Sequence, residues 1–274
     1  MESINVKGSL LILILFGSLT LNVCGQSIPS FWMNIYKLEN FHESRNGEIK
    51  RIVADKKGYY SNGQSYKEKW VYNFIDPYNI QGEYYKDKEL KARFIYEFDS
   101  LNRRTKNVIE SKVPLIGWQK ETYTFEYVGN NRDTERHFDA NNNLLRFAKY
   151  EYDALGRPTQ LQLYNSNGEL DSYETADYQD NYKYIHKIFN STGDLVFQEI
   201  KFSNIDTSLN LSNSNGDLTK HVWPTSSQDN KAFYIHTYKY DSSKNWTERH
   251  VQVESKNKQR KQSAVTRKIT YFRK

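Results

Sequence analysis

Aromatic and polar residues alternate along most of this chain. Three runs show the pattern clearly: Trp70, Tyr72 and Phe74, then Phe94, Tyr96 and Phe98, then Tyr123, Phe125 and Tyr127. A period of two is that of a β-strand with one buried face. Aromatic side chains on one face of neighbouring strands form cross-strand contacts, each contributing about 0.2–1 kcal/mol. The chain is therefore predicted to be all-β.

A first turn motif follows several of these strands. The unit Tyr150–Arg157 has its turn at Asp153 and Gly156, and two further units repeat it in part. The residues of the motif are Tyr150, Tyr152, Asp153, Gly156 and Arg157, then Tyr96 and Asp99, then Tyr238, Tyr240 and Asp241. The Asp side chain can accept backbone N–H groups two residues on, and Gly or Asn supplies a positive φ. In the third unit, Asn245 comes one residue later than Gly156 does, which predicts a shifted turn.

A second turn motif contains Asn-Gly, as at Asn167-Gly168 and Asn215-Gly216. Asn-Gly between alternating segments is a strong signal for a β-hairpin. A turn about every 12 residues leaves strands of about 6 to 9 residues. The predicted architecture is a series of consecutive antiparallel β-hairpins forming one extended, curved repeat sheet. It is expected as a single domain over residues 26–274, with the clearest repeats over 92–274.

The first 25 residues are predicted to be a signal peptide. Lys7 precedes the apolar run Leu10–Phe16, and small residues follow near Gly25. This run is short for a membrane-spanning helix and has the order of a secretory signal. Either cleavage follows Gly25, or Cys24 becomes a lipidated first residue. Both routes predict export, to the periplasm, the outer membrane surface or the medium.

Basic residues are concentrated at the end of the chain. Residues 249–274 contain nine Lys or Arg and one acid, Glu254, within a chain of formal net charge +6. One interpretation is an edge hairpin protected by its lysines. The other is a contact with an anionic surface, such as membrane headgroups or an acidic polymer. Export argues against a nucleic acid partner.

No catalytic motif stands out in this sequence. The six histidines are scattered, and His186 and His236 share the context Tyr-Ile-His, which favours equivalent strand positions over a metal site. Cys24 is the only cysteine, and no phosphate-binding loop is present. We therefore predict no cofactor and no metal. Carboxylates are numerous, so a pair of acids like that of a glycosidase stays open as an alternative.

The residues of the first turn motif resemble the RHS or YD-repeat family. Tyr150–Arg157 matches that family's repeat unit fully, whereas 96–103 and 238–245 match it in part. Residues 58–64 look more like MORN-type hairpin repeats. The resemblance implies a long sheet of hairpins that curls into a spiral or shell. This chain is short for a shell and shows no toxin domain, so the resemblance implies a small exported relative.

The abundance of Tyr and Trp supports a binding hypothesis. Exposed aromatic side chains on a sheet can stack on sugar rings or hold a peptide. The candidate binding residues are Trp70, Trp118, Trp223 and Trp246. The leading hypothesis is a non-catalytic protein that binds a protein or glycan of the cell envelope or extracellular space. The alternatives are a polysaccharide hydrolase and an accessory or immunity-like partner of a secreted toxin. Open edge strands make self-association a further possibility, and the oligomeric state is left open.

Overall fold

The computed structural model describes residues 46–179, 183–202, 210–222, 232–255 and 258–272, which form β-strands joined by turns. The strands are β1 (Ile49–Tyr59), β2 (Ser65–Asp76), β3 (Asn79–Lys86), β4 (Glu89–Phe98), β5 (Arg104–Val113), β6 (Gly117–Val128), β7 (Asn131–Phe138), β8 (Leu144–Tyr152), β9 (Pro158–Asn165), β10 (Leu170–Tyr178), β11 (Lys183–Asn190), β12 (Leu195–Phe202), β13 (Leu211–Ser212), β14 (Leu218–Val222), β15 (Ala232–Tyr240), β16 (Trp246–Ser255) and β17 (Lys258–Tyr271). The predicted signal peptide, its cleavage site and Cys24 lie outside the described residues.

All 17 strands belong to one antiparallel sheet. Each strand pairs with the next along the chain from β1 to β12, and again from β13 to β17. The prediction of an all-β chain made of consecutive antiparallel hairpins is therefore confirmed. In the described part of the chain, no helix is long and apolar enough to span a bilayer.

The first and last strands are neighbours in this sheet. β1 pairs antiparallel with β17 from Ile49 opposite Tyr271 to Gly58 opposite Ser263, and β17 also pairs with β16. Because β17 has a partner on both sides, the interpretation of the basic segment as an edge hairpin is wrong. The lysines of β17 lie instead in the middle of the sheet, beside those of β1 and β2.

The hydrogen-bonded sheet is not closed. Among the described residues, no ladder joins β12 to β13, so these two strands end the sheet. Every pair between them is antiparallel, and a sheet of 17 alternating strands has its two end strands pointing in the same direction. An antiparallel ladder between β12 and β13 is therefore excluded by the odd number of strands.

Seven turns that begin with Asn or Asp share one five-residue geometry. In the turn that starts at Asp153, the backbone N–H of Asp153 donates to the carbonyl of Arg157, and that of Gly156 donates back to the carbonyl of Asp153. Asp153 Oδ1 also accepts the N–H groups of Leu155 and Arg157, both at 2.9 Å. The same bonds recur in the turns that begin at Asp99, Asp139, Asn165, Asn190, Asn213 and Asp241. The two sequence motifs are thus one structure, with Asn or Asp as the first residue.

The fourth residue of each of these turns has a positive φ. It is Gly at four of them, including Gly156 with φ 74°, and Asn102 and Asn142 at two others. In the turn that starts at Asp241 it is Lys244, with φ 63°, and not Asn245. The expected shifted turn is therefore wrong, because Lys244 adopts the left-handed conformation and keeps the five-residue length.

Tyrosine hydroxyls fasten the strands that follow these turns. Tyr127 Oη donates to the carbonyl of Arg104 at 2.8 Å, and Tyr178 Oη donates to that of Pro158 at 3.1 Å. Each carbonyl belongs to the residue directly after a five-residue turn, as does that of Leu218, which Tyr238 Oη contacts at 2.8 Å. These three tyrosines therefore donate hydrogen bonds to backbone carbonyls at equivalent places in three hairpins.

Candidate functional site

The sheet has two chemically different faces. We call the face that carries Ile52, Phe94 and Tyr150 the inner face, and the face that carries Lys57 and Arg93 the outer face. Side chains of the inner face are buried in three apolar clusters, centred on Phe94, on Tyr150 with Leu161, and on Trp246. The outer face carries charged and polar side chains, many of them exposed. Alternation along each strand produces both faces.

Aromatic rings cover much of the inner face. Trp70 lies 4.3 Å from the Tyr84 ring centroid and 6.0 Å from that of Phe94. Gly82 lies between Tyr72 and Phe94 in the register, and the Phe94 ring occupies the space where a side chain of Gly82 would stand. Most of the aromatic periodicity seen in the sequence therefore belongs to the core.

A buried ion pair lies among these rings. Arg132 Nη1 donates to Glu135 Oε2 at 2.9 Å, and Tyr150 Oη donates to the same oxygen at 3.0 Å. The Arg132 guanidinium stands 4.4 Å from the Phe125 ring centroid. Burial, and then the negative charge of Glu135, raise the pKa of Tyr150 well above its ordinary value. The group is satisfied within itself, which indicates a structural role.

His186 lies between two carboxylates on adjacent strands. Its Nε2 is 2.8 Å from Glu174 Oε2, and its Nδ1 is 3.5 Å from Glu199 Oε1. Lys201 Nζ is 2.8 Å from the same Glu199 oxygen. The two carboxylates sit on opposite sides of one imidazole, so they do not face each other across an open cleft.

His236 is on the same face but in different surroundings. Its Nε2 lies 3.2 Å from Nδ1 of His221, and the two rings stack with centroids 5.0 Å apart. Burial and the positive charge of Arg249 lower the pKa of His221 to about 4. Burial, His221 and Arg249 lower that of His236 to about 3. Both histidines are neutral at pH 7, and the described residues contain no group of three or more potential metal ligands.

The four candidate tryptophans differ in their location and exposure. Trp70 is packed in the inner-face cluster, and Trp246 is 3% exposed. Trp223 lies outside the described residues. Trp118 is 41% exposed on the outer face, and the Arg93 guanidinium stands over its ring at 5.0 Å. Of the three described tryptophans, Trp118 is the one that is exposed.

Trp118 belongs to an apolar hairpin tip between β5 and β6. We call Leu115, Ile116 and Trp118 the apolar tip. Leu115 and Ile116 are fully and largely exposed, and Leu115 has a positive φ of 69°. The sequence analysis singled out Trp118 but missed Leu115 and Ile116. The signal was present, since Val113–Gly117 lacks the leading Asn or Asp of the five-residue turns and carries two consecutive large apolar residues.

Several carboxyl groups of the described residues have a shifted pKa. Those whose pKa departs clearly from its ordinary value are all lowered: Asp76, Glu89, Asp99, Glu121, Asp139, Asp153, Asp194 and Glu248. Hydrogen bonds from Lys91 and Lys112, for example, lower the pKa of Glu89 to about 2. A general acid of a glycosidase needs a raised pKa.

Comparison with known proteins gives a structural likeness and no match in sequence. No family model matches the chain, and no curated protein matches it. A porin-like protein from Bacteroides uniformis is similar in structure, with a TM-score of 0.42 and 14% sequence identity over 82% of this chain and 98% of that one.

The assignment to the RHS or YD-repeat family is therefore wrong. No family model supports it. The unit that carried the resemblance, Tyr150–Arg157, is a strand end followed by a five-residue turn. The same turn forms without the aromatic pair, as at Asn165, so local hydrogen bonding accounts for the motif.

Proposed function

We propose that this protein is an exported, non-catalytic binding protein of the cell envelope, and that the apolar tip docks on a protein partner. The observation that carries the proposal is the exposure of Leu115, Ile116 and Trp118, which are 105%, 68% and 41% exposed. Three large apolar side chains on one solvent-facing hairpin are unfavourable in water unless a partner covers them.

The geometry of the tip supports a docking role. A non-glycine residue with positive φ costs about 1 kcal/mol or more, and Leu115 holds such a conformation at the point of greatest exposure. Nothing in the fold of the hairpin requires Leu there. Asn102 and Lys244 hold a similar φ in ordinary turns, so what distinguishes Leu115 is its full exposure as a large apolar residue.

Charged side chains surround the apolar tip. Arg93 stands over the Trp118 ring, and Glu89 accepts hydrogen bonds from Lys91 and Lys112 at 2.7 and 2.9 Å. An apolar centre with a polar rim is the common anatomy of a protein interface, and Trp and Arg are frequent among its strongest contacts. A protein partner fits this arrangement better than a glycan, since Leu115 and Ile116 offer no hydrogen bonds.

The experiment is a binding assay of the mature chain, residues 26–274, on immobilised cell-envelope fractions. Saturable binding is expected, and protease treatment of the fraction should abolish it because the partner is a protein. The double variant Leu115→Ser, Ile116→Ser should weaken binding at least tenfold, the loss expected when an interface centre worth about 1.4 kcal/mol or more is removed.

A matched control uses apolar residues at the other end of the hairpins. Leu101 and Leu155 are also exposed, within five-residue turns, and Leu101→Ser with Leu155→Ser should leave binding unchanged. Equal loss in both double variants, or binding that survives protease, would contradict the proposal. The hydrolase remains a hypothesis that no observation on the described residues favours.

A further inference from the structure

Five basic side chains lie together on the outer face of β2, β1 and β17. We call Arg51, Lys57, Lys67, Lys69 and Lys268 the basic stripe. All five are exposed. They come from both ends of the described chain, and the β1–β17 and β1–β2 ladders place them on one face of three adjacent strands. The concentration of basic residues in 249–274 had indicated only the part of this surface that β17 supplies.

The register places like charges next to one another. Lys57 stands directly opposite Lys67, and Lys69 follows Lys67 on the same face. Like charges opposite each other on neighbouring strands are destabilising. On the outer face of the paired parts of β1, β2 and β17, Asp55 is the one acidic residue. It lies opposite Lys69. The stripe therefore carries five positive charges against one negative charge.

Other lysines of the outer face have carboxylate partners. Lys106 lies 2.9 Å from Glu97, Lys187 lies 2.6 Å from Asp177, and Lys239 lies 2.8 Å from Glu248. Among the described residues, no carboxylate comes within ion-pair distance of Lys57, Lys67 or Lys69. The bordering strands carry Glu83, opposite Val71, and Glu248, opposite Thr266. Glu83 accepts a hydrogen bond from Tyr85, and Glu248 pairs with Lys239.

Aromatic rings accompany two of the lysines. Lys57 Nζ is 5.3 Å from the Tyr59 ring centroid, and Lys69 Nζ is 6.0 Å from that of Tyr85. A ring can stack on the apolar face of a sugar while a neighbouring ammonium group pairs with an acid group on it. Lys67 and Lys69 stand two residues apart on β2, and Lys57 stands across from Lys67, so these three cations can contact one polymer with repeated negative charges.

We infer that the basic stripe binds an acidic polysaccharide, with Tyr59 and Tyr85 stacking on its sugar rings. This surface is separate from the apolar tip and does not depend on the protein partner proposed above. Its affinity arises from exposed charges, so it falls as the salt concentration rises.

The test measures binding of the mature chain to polygalacturonate, with neutral dextran as the reference polymer. Binding to polygalacturonate at low salt, none to dextran, and a loss of at least tenfold at about 0.5 M NaCl are expected, because screening is then strong within a few ångströms. Lys57→Gln with Lys67→Gln and Lys69→Gln should reduce the affinity at least tenfold.

Lys106→Gln with Lys187→Gln and Lys239→Gln is the matched control. It removes the same number of charges from lysines that already have partners, and it should change the affinity less than twofold. Equal effects of the two triple variants would overturn the site and leave only the net charge. Melting temperatures of both variants close to that of the parent show that the fold is kept.

Further measurements distinguish a polysaccharide ligand from a lipid ligand, and this proposal from that of the apolar tip. Tyr59→Ala with Tyr85→Ala should weaken polygalacturonate binding several-fold. Binding to phosphatidylglycerol vesicles in preference to polygalacturonate would overturn the polysaccharide and point to a lipid surface. Leu115→Ser with Ile116→Ser should leave polygalacturonate binding intact, so failure of the apolar tip proposal is distinguishable from failure of this one.

Discussion

At the scale of single residues, two positions define each five-residue turn. The first residue, Asn or Asp, accepts two backbone N–H groups through its side chain, as Asp99 does at 2.9 Å from both Leu101 and Arg103. The fourth residue holds a positive φ. Gly does this without steric cost, whereas Asn102 and Lys244 do it against the preference of an L-residue. Glycine at the fourth position is therefore preferred but not required.

Gly156→Val is expected to lower the free energy of unfolding by about 1–3 kcal/mol, because a β-branched residue is strained at φ 74°. The space around Gly156 is open, its nearest neighbour being Asn131 Oδ1 at 3.7 Å, so the effect isolates backbone strain. Denaturant unfolding measures it. Asn102→Gly at the equivalent position is the control and should not destabilise by more than about 0.5 kcal/mol. An unchanged midpoint for Gly156→Val would contradict this account of the turn.

Buried neutral histidines predict an acid sensitivity. The pKa values of His221 and His236 are lowered to about 4 and about 3, against an ordinary value near 6.5. As pH falls from about 6.5 to about 4, the unfolded chain binds protons that the folded chain does not. The free energy of unfolding should therefore fall with decreasing pH, by up to about 1.4 kcal/mol per pH unit for each histidine.

His221→Asn with His236→Gln should flatten this slope between pH 6.5 and 4, as followed by urea unfolding at a series of pH values. His250→Gln is the control for the loss of a histidine, since His250 is an exposed residue of the outer face and the fall in stability should persist without it. A parent protein whose stability does not change over that range would contradict the burial of the pair as the cause.

At the scale of the hairpin, packing across strands matters more than any single ring. Tyr72, Gly82 and Phe94 are in register on three neighbouring strands, and Gly82 leaves room for the Phe94 ring to lie flat on the sheet. A glycine within a strand is unfavourable for the strand itself, so this position indicates a close approach. The sequence pattern identified the rings but not the gap that they fill.

Gly82→Ala is expected to destabilise by about 1–3 kcal/mol, the range for overpacking a core. A Cβ at this position would lie 2.1 Å from the Phe94 ring and 2.6 Å from the carbonyl oxygen of Val71, and the backbone atom cannot move aside easily. The melting temperature reports the change. If Gly82→Ala with Phe94→Leu recovers none of the loss, the ring contact is not its source.

At the scale of the whole molecule, β17 joins the two ends of the chain. It lies between β16 and β1, and both ladders depend on it. Removal of residues 258–274 should therefore abolish cooperative unfolding, because β1 and β16 would each become an unpaired edge with exposed apolar residues. Addition of a peptide of residues 258–274 should restore the transition. Removal of residues 273–274 alone, beyond the end of β17, is the control and should leave the melting temperature unchanged. A cooperative transition in the longer deletion would show that β17 is dispensable.

The fold class and most turns were predictable from the sequence because their causes are local. Alternation of aromatic and polar residues defines strands, and Asn, Asp and Gly at fixed offsets define turns. The same local patterns suggested a family to which the chain is not matched, since a hairpin that forms from local hydrogen bonds arises in unrelated proteins.

The sequence by itself determined the β-strands, the five-residue turns and the alternation of an apolar and a polar face. The tertiary structure alone decided the pairing of β1 with β17, the open join between β12 and β13, and the places of Trp70, Trp118 and Trp246. It also decided that Lys57, Lys67 and Lys268 share one surface. The physical reason is that strand order and register between distant segments depend on contacts across the whole sheet, which no local pattern of residues specifies.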